Sequence, residues 1–532
     1  MPHRPDSILA AFLAHAQADP ARPCVIWRGA TLSYGALAEL SAAWAARYRE
    51  LGVARGDRVA LYLGSSPAFL SAYLGAHMAG AAVVLINTQY RQVELEHILN
   101  DSEPRLIVAD QELAVEHEAS RADGGARWPT IVTPDPETYL PAGVSKASST
   151  PYAQGSIQLP EAADLAILAY TSGTTGRSKG AMLTHGCLAA NSAAVLEAWR
   201  WTAADRLLLT LPLFHIHGLG VGVHGTLLAG ASLDLRPRFD AAEVLDTLAG
   251  GEHTLFFGVP TLYTRLIAEA RRRQGGDRPA TTDDRPAAAD DQPHARVPRF
   301  PLPVRLFVSG SAPLAQQTFA EFEELFGQRI LERYGMTETG MNLTNPYDGE
   351  RRPGSVGMPF PGQEARVVDL KTREELPDGE VGEIQVRGPH VCAGYWRNPE
   401  ATAEVFHPDG WFSTGDLGWR SADGYFTITG RAKELIISGG YNIYPREVEE
   451  LLLTHPGVAE CAVFGLPDHE FGEQVAAAIV PSDPANPPSA DELIAFCREH
   501  LAAYKRPRTI RYDEALPRNA MGKIEKHRLR GW

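Results

Sequence analysis

Between Tyr170 and His185 the chain reads YTSGTTGRSKGAMLTH, a composition suited to holding a polyphosphate. Gly173, Gly176 and Gly180 let the backbone turn tightly, so that successive N–H groups can converge on an anion. Thr171, Ser172, Thr174, Thr175 and Ser178 add hydroxyl donors, and Lys179 adds a positive charge. The segment follows the apolar run LAILAY, a short strand, as a phosphate-binding turn does. It is not a Walker A loop, which needs Gly at 178 and Ser or Thr at 180, where Ser178 and Gly180 stand.

The elements that must position this loop alternate in type. Leu37 to Leu51 has helical periodicity, Arg58 to Leu63 (RVALYL) reads as a buried strand, Pro67 to Ala79 as a helix and Ala82 to Leu85 as a strand. That alternation implies a mostly parallel, doubly wound sheet. From Pro361 to Gly430 short strands such as GEIQVRG and GYFTITG lie between Gly, Asp and Pro turns, which suggests a small antiparallel barrel or sheet. After Arg431 the pattern is a compact α+β unit: a helix near Arg446 to Thr454, the strand AECAVFGL, a helix in the 490s and an extended tail. Arg271 to Phe300 holds four prolines, two Asp pairs and few large apolar residues, so it reads as a mobile surface insertion.

Composition bounds the function. The 532 residues are 44% hydrophobic and 22% charged, ordinary for a soluble globular chain of several units. The formal charge, 50 minus 65 or −15, argues against nucleic acid or an anionic membrane as the main partner. The five cysteines are scattered and form no CxxC pair, which suits a reducing compartment and gives no zinc or disulfide framework. No apolar run is long enough to span a bilayer, and the first one, ILAAFLAHAQA, is broken by His15 and Gln17. A cytoplasmic protein is expected.

Five further motifs follow the loop in order: SGSAPL (Ser309 to Leu314), ERYGMTET (Glu332 to Thr339), STGDL (Ser413 to Leu417), GRAKELII (Gly430 to Ile437) and LPRNAMGKIEK (Leu516 to Lys526). Together, and over nearly the whole chain, they resemble the acyl-adenylate-forming (AMP-binding) superfamily of acyl-CoA synthetases, peptide-synthetase adenylation domains and beetle luciferases. The resemblance implies an α/β fold: a large N-terminal domain, 1–430, of doubly wound sheets plus a small β-barrel, a hinge at 431–433, and a smaller mobile α+β lid, 434–532. It assigns Tyr334 to adenine stacking, Thr337 to the α-phosphate and Glu338 to Mg²⁺. Glu332, Arg333, Gly335 and Met336 join them in the ATP site. A carboxylate beside a triphosphate is repelled unless a divalent cation bridges them, which fits Glu338; Thr175 is the second expected metal contact. Gly310, Ser311 and Ala312 would approach the base. Asp416 would accept both ribose hydroxyls, as a bidentate carboxylate can, and Arg431 would meet ribose and phosphate. Lys433 falls at the hinge. Gly439, Gly440 and Tyr441 would line the tunnel for coenzyme A. Lys523 corresponds to the adenylation lysine, a cation for the bridging oxygen as a carboxylate attacks the α-phosphate and pyrophosphate leaves. Its acylation would remove that charge, so a lysine acetyltransferase and deacetylase are expected partners.

The acyl pocket narrows the substrate. Pro212 to Gly218, PLFHIHG, resembles the family's pocket-and-gate segment, with His215 as the gate; a zinc reading of H-x-H lacks a third ligand nearby. In GVPTLYTR, Pro260 sits near a helix start, and Thr261 and Arg265 fall four apart on one face. If that face lines the pocket, an unpaired Arg265 is costly there unless the substrate carries a second carboxylate. The stretch ERYGMTETGMNLTNPYDGERRPGSVGMPFPG, with PLFHIHGL and GVPTLYTRL, is very similar to the malonyl-CoA synthetase family. The expectation is a malonate–CoA ligase, also accepting methylmalonate, that uses ATP, Mg²⁺ and coenzyme A and has no nucleic-acid or integral-membrane contact. Arg265 would pair with the distal carboxylate, and His217, Met341 and Gly310 would shape the pocket. The alternatives are a medium- or long-chain fatty acyl-CoA or aryl-CoA synthetase and, outside enzymes, an adenylate-binding protein derived from the fold.

Overall fold

The computed structural model describes residues 7–110, 130–134, 157–171, 178–275, 300–518 and 523–530. Ser172, Gly173, Thr174, Thr175 and Gly176 of the glycine loop, and 276–299 of the expected insertion, lie outside the described residues.

Two large sheets carry the body. In the first, Thr130–Val132, Leu106–Ala109, Arg58–Tyr62, Ala82–Leu85 and Leu165–Thr171 run parallel in that spatial order, and Lys179–Thr184 closes the edge antiparallel. The central runs are Val, Ile, Leu and Ala without polar alternation, because helices cover both faces. In the second, Pro23–Trp27, Ser232–Leu235, Arg206–Leu209, Leu255–Gly258, Leu306–Ser309 and Leu331–Met336 are parallel. Antiparallel strands finish both of its edges: Ala30–Ser33 on one, Gly340–Thr344 and Met358–Pro359 on the other. The doubly wound expectation therefore holds, with hairpins at the rims.

The helix Pro67–Met78 is buried along its whole length and starts at Ser66, whose hydroxyl accepts from Phe69 N. It packs on Tyr34–Glu50 closely enough that a Cβ on Gly75 would lie 2.5 Å from Trp44 Cβ. The segment expected to form a small barrel or sheet is a four-stranded antiparallel sheet, Glu364–Val368, Gly382–Arg387, Phe412–Arg420 and Phe426–Arg431, paired in chain order.

Beyond Arg431 a short 3-10 turn, Ala432–Glu434, leads into a separate sheet with its own apolar core around Ile436, Val463, Ile479 and Leu493. The helix Pro445–Leu452 joins this unit to the body, for Arg446 Nη1 donates to Ile428 O at 2.7 Å. One boundary differs from expectation. The helix Pro260–Gly275 runs four residues past Arg271, because Arg271 pairs with Glu321, Arg272 with Glu269, and Arg273 with Glu269 and Asp246. Among the described residues no helix is long and apolar enough to cross a membrane.

Candidate active site

Two hairpins converge on one end of the body. The glycine loop joins antiparallel strands, so Thr171 and Lys179 face each other at its base, and the next helix, His185–Trp199, starts only after the second strand. The other hairpin pairs Met336 with Gly340 and puts Thr337 and Glu338 in its turn. Glycine is required at 335, where a Cβ would lie 2.1 Å from Gly340 O. Glu338 is buried, and its Oε1 accepts from Thr171 Oγ1 at 3.3 Å and from the Tyr395 hydroxyl at 3.0 Å. Burial and the Glu338 charge push the Tyr395 phenol far above its ordinary range, so it stays a donor. Lys179 Nζ stands 5.3 Å from the centre of the Tyr395 ring. Tyr395 lies between motifs, in AGYWRNPE, with no charged neighbour closer than Arg397; nothing local in the sequence marks it.

A second group lies toward the hinge. The Tyr334 hydroxyl donates to Asp416 Oδ2 at 2.5 Å, and Arg431 Nε stands 3.2 Å from Asp416 Oδ1. Asp416 and Arg431 are cross-strand partners, so their pairing is built into the sheet register. Lys523 enters the same region on the C-terminal tail. Burial draws its amine down to about 8, with the Arg431 and Arg333 charges acting the same way and Asp416 and Glu338 opposing. Residues from four distant motifs thus form one charged cluster.

The acyl side is built from the second sheet. His217 opens a short π-helical stretch, His217–Val223, a geometry found often at functional sites. Its Nδ1 lies 3.1 Å from Ser311 Oγ, its N–H donates to His215 Nδ1 at 3.1 Å, and its Nε2 has no partner. Ser311 holds φ +69°, rare for a serine. Burial first, then the nearby Lys523 and Arg333 cations, pull His215 down to about 3; His217 is lowered by burial and Arg333. Both imidazoles are neutral at pH 7. Arg333 is 3% exposed, and its Nε and Nη2 have no hydrogen-bond partner. Burial pulls it down to about 9, which still leaves it charged at neutral pH. Its guanidinium covers Gly310. Met341 is buried, its methyl lies over Gly335, and its backbone is clamped from both sides by the Asn191 amide, a residue no motif flagged.

Three expectations need correction. Arg265 is exposed on the outer face of its helix, stacked 4.8 Å over Phe239, so it does not supply a buried pocket cation. The helix register put it opposite to the buried Tyr263 and Leu266, which face the core instead. Glu332 is an interior carboxyl: Leu314 N donates to its Oε1 at 3.1 Å, Oε2 is unpartnered, and burial pushes it up to about 7. Gly310 meets Arg333 rather than presenting open backbone. The structure also leaves Gly439, Gly440 and Tyr441 apart from this cluster. They form an exposed hairpin tip on the C-terminal unit, where Tyr441 stacks on Tyr504 with ring centres 4.5 Å apart. Lys433 is exposed in the 3-10 turn.

Comparisons with known proteins match the family and the fold. The family described as AMP-binding enzyme matches residues 12–396, and the AMP-binding enzyme C-terminal domain matches 447–523. A sulfoacetate–CoA ligase of Cupriavidus necator is 38% identical over 98% of this chain and 97% of its own length. A malonate–CoA ligase of Arabidopsis thaliana is 35% identical over 91% of this chain and 79% of its own. ATP-bound MatB from Rhodopseudomonas palustris superposes with a TM-score of 0.85 at 38% identity, covering 98% of both chains. With ATP and coenzyme A as the substrates such ligases share, the chain belongs to the AMP-binding enzyme family as an AMP-forming acyl-CoA synthetase.

Proposed function

We propose that this ligase acts on a small acid bearing a second anionic group, with malonate the first choice and methylmalonate next. The observation that carries the reading is Arg333: a buried guanidinium with two unpartnered nitrogens beside His217, Ser311 and Gly310. A buried, unpaired cation is costly, and a substrate's distal anion would relieve it with charge-assisted hydrogen bonds. A fatty acyl chain would not. Arg333 replaces Arg265 in this role. The malonate ligase favours a carboxylate; the sulfoacetate ligase favours a sulfonate on the same carbon skeleton, and that is the second reading.

The residues divide the work in two steps. In the first, Lys523 lies against the α-phosphate region and stabilises charge as the acid's carboxylate attacks ATP and pyrophosphate departs. Thr337 and Lys179 contact the phosphates, and Tyr334, Asp416 and Arg431 hold the nucleoside. Neutral His215 and His217 shape the acyl side without competing with Arg333 for the anion. A divalent cation fits Glu338: its Oε2 accepts from no described residue, and oxygen donors suit Mg²⁺. No cluster of three ligating side chains occurs among the described residues, so the cation would be shared with the triphosphate. When bound it neutralises phosphate charge. In the second step the C-terminal unit turns about Lys433, withdraws Lys523, and brings Gly439 to Tyr441 to the thioester-forming site, where the coenzyme A thiolate displaces AMP.

ATP–pyrophosphate exchange with malonate, methylmalonate, sulfoacetate, succinate, acetate, octanoate and benzoate tests the reading. Exchange strongest with malonate or sulfoacetate supports it; exchange strongest with octanoate or benzoate sinks it.

A further inference from the structure

The segment Cys392 to Trp396 touches both halves of the phosphate site. Its backbone is stitched to the strand carrying Lys179: Met182 N donates to Gly394 O at 2.9 Å, Ala393 N to Met182 O at 2.9 Å, and Trp396 N to Gly180 O at 2.8 Å. It also grips the turn carrying Glu338, because Cys392 N donates to Glu338 O at 2.8 Å. Tyr395 is fixed within it by a bridge to Ala181 and by its N–H, which donates to Thr402 Oγ1 at 2.9 Å. From this anchored position one side chain reaches two others. The hydroxyl donates to Glu338 Oε1, and the ring lies under Lys179 Nζ.

We propose that Tyr395 is a positioning residue for adenylation: with Thr171 it fills one oxygen of Glu338 so that the other faces the phosphates, and its ring holds Lys179 alongside. A carboxylate has about four acceptor directions, and with two hydroxyls on Oε1 those of Oε2 take no donor from the described residues. Hydroxyl donors to a carboxylate are among the stronger protein hydrogen bonds, and at a 6% exposed Glu338 there is little water to replace them. The ring adds a cation–π contact that keeps the Lys179 amine near the same acid without neutralising it in a direct ion pair. Tyrosine meets both demands at once; phenylalanine meets only the second. The inference rests on the reading of Glu338 as the carboxylate that takes the divalent cation.

The test uses the full chain and the Tyr395→Phe, Glu338→Gln and double variants. Mn²⁺·ATP binding, followed by Mn²⁺ paramagnetic resonance without any acid substrate, is the readout independent of turnover. Tyr395→Phe is expected to weaken Mn²⁺·ATP about tenfold, the scale of one charge-assisted hydrogen bond. Pyrophosphate exchange should fall similarly, while thioester formation from supplied malonyl-AMP stays within about twofold, since that step needs no triphosphate. The double variant should bind no more weakly than Glu338→Gln alone, because the hydroxyl acts through that carboxylate. Unchanged Mn²⁺·ATP affinity in Tyr395→Phe, equal loss in both half-reactions, or full additivity with Glu338→Gln overturns the proposal and leaves Glu338 its role. Unchanged affinity in Glu338→Gln itself overturns the reading of Glu338, and the proposal with it.

Discussion

The guanidinium of Arg333 occupies the space that a side chain on Gly310 would need: a Cβ there would lie 2.5 Å from both Cζ and Nε. Gly310 directly follows the strand 306–309, and Arg333 lies in the adjacent parallel strand 331–336. Glycine at 310 is therefore a condition for the buried cation that sets the proposed substrate class.

Gly310→Ala follows directly. The added methyl sits well inside contact distance, so Arg333 must move. The KM for malonate is expected to rise at least about tenfold while acetate turnover changes far less, the price of displacing one charged partner. Steady-state kinetics on the two acids read it out; equal losses on both would refute the link between Gly310 and anion recognition.

Arg333→Ala removes the charge itself. Truncating a buried anion partner costs about 3 kcal/mol, roughly a hundredfold in kcat/KM for malonate. Arg333→Lys should recover little, because an ammonium lacks the planar fork. Arg265→Ala serves as the control: it loses only its stacking on Phe239, and its preference for malonate over acetate should match the parent enzyme. Loss of preference in Arg265→Ala with retention in Arg333→Ala would return the role to Arg265.

Lys523 gives a pH signature. Its amine sits near 8 in the free enzyme, below the ordinary lysine range, so the cation used in adenylation is lost as pH rises through about 8. The kcat/KM for ATP should fall above that pH, while kcat holds to higher pH because bound phosphates favour the charged amine. Lys523→Ala should abolish pyrophosphate exchange yet form thioester from supplied acyl-AMP. A kcat/KM that stays flat well above that pH, up to about 9.5, would contradict the assignment.

Glu332 governs stability. Its carboxyl ionises near 7 in the folded protein and near 4.5 when unfolded, so between those values the folded state holds more protons. Stability is then lost as pH rises from 4.5 through 7, by at most about 3 kcal/mol. Glu332→Gln carries no such penalty. Its advantage in urea unfolding over the parent should grow from about pH 5 to about pH 8; a constant difference would show that Glu332 is not titrating in this window.

Much of this was legible in the chain. The apolar strand runs and the loop rich in glycine and hydroxyls pointed to parallel sheets and a phosphate-binding turn, and the six motifs in order carried the resemblance to acyl-adenylate-forming enzymes. The reason is local: turn geometry, phosphate binding and strand burial each demand particular residue types within a few positions. Arg265 shows where such reading stops. Helical spacing groups Thr261 with Arg265 on one side of a helix, but spacing does not say which face meets the core, and here Tyr263 and Leu266 took it. Arg333 and Gly310, Tyr395 and Glu338, and Tyr334 and Asp416 are pairs made across strands or segments 23 to 82 positions apart.

The sequence by itself supplied the parts: a loop suited to phosphate, and motifs whose resemblance to a family implied residues for ribose and a cation and the activation of an acid by ATP. The tertiary structure alone decided which of two arginines lies buried with two unpartnered nitrogens, and which tyrosine donates to Glu338. Burial and pairing depend on how distant strands stack, and the free energy of a charge depends on that burial more than on its neighbours in the chain.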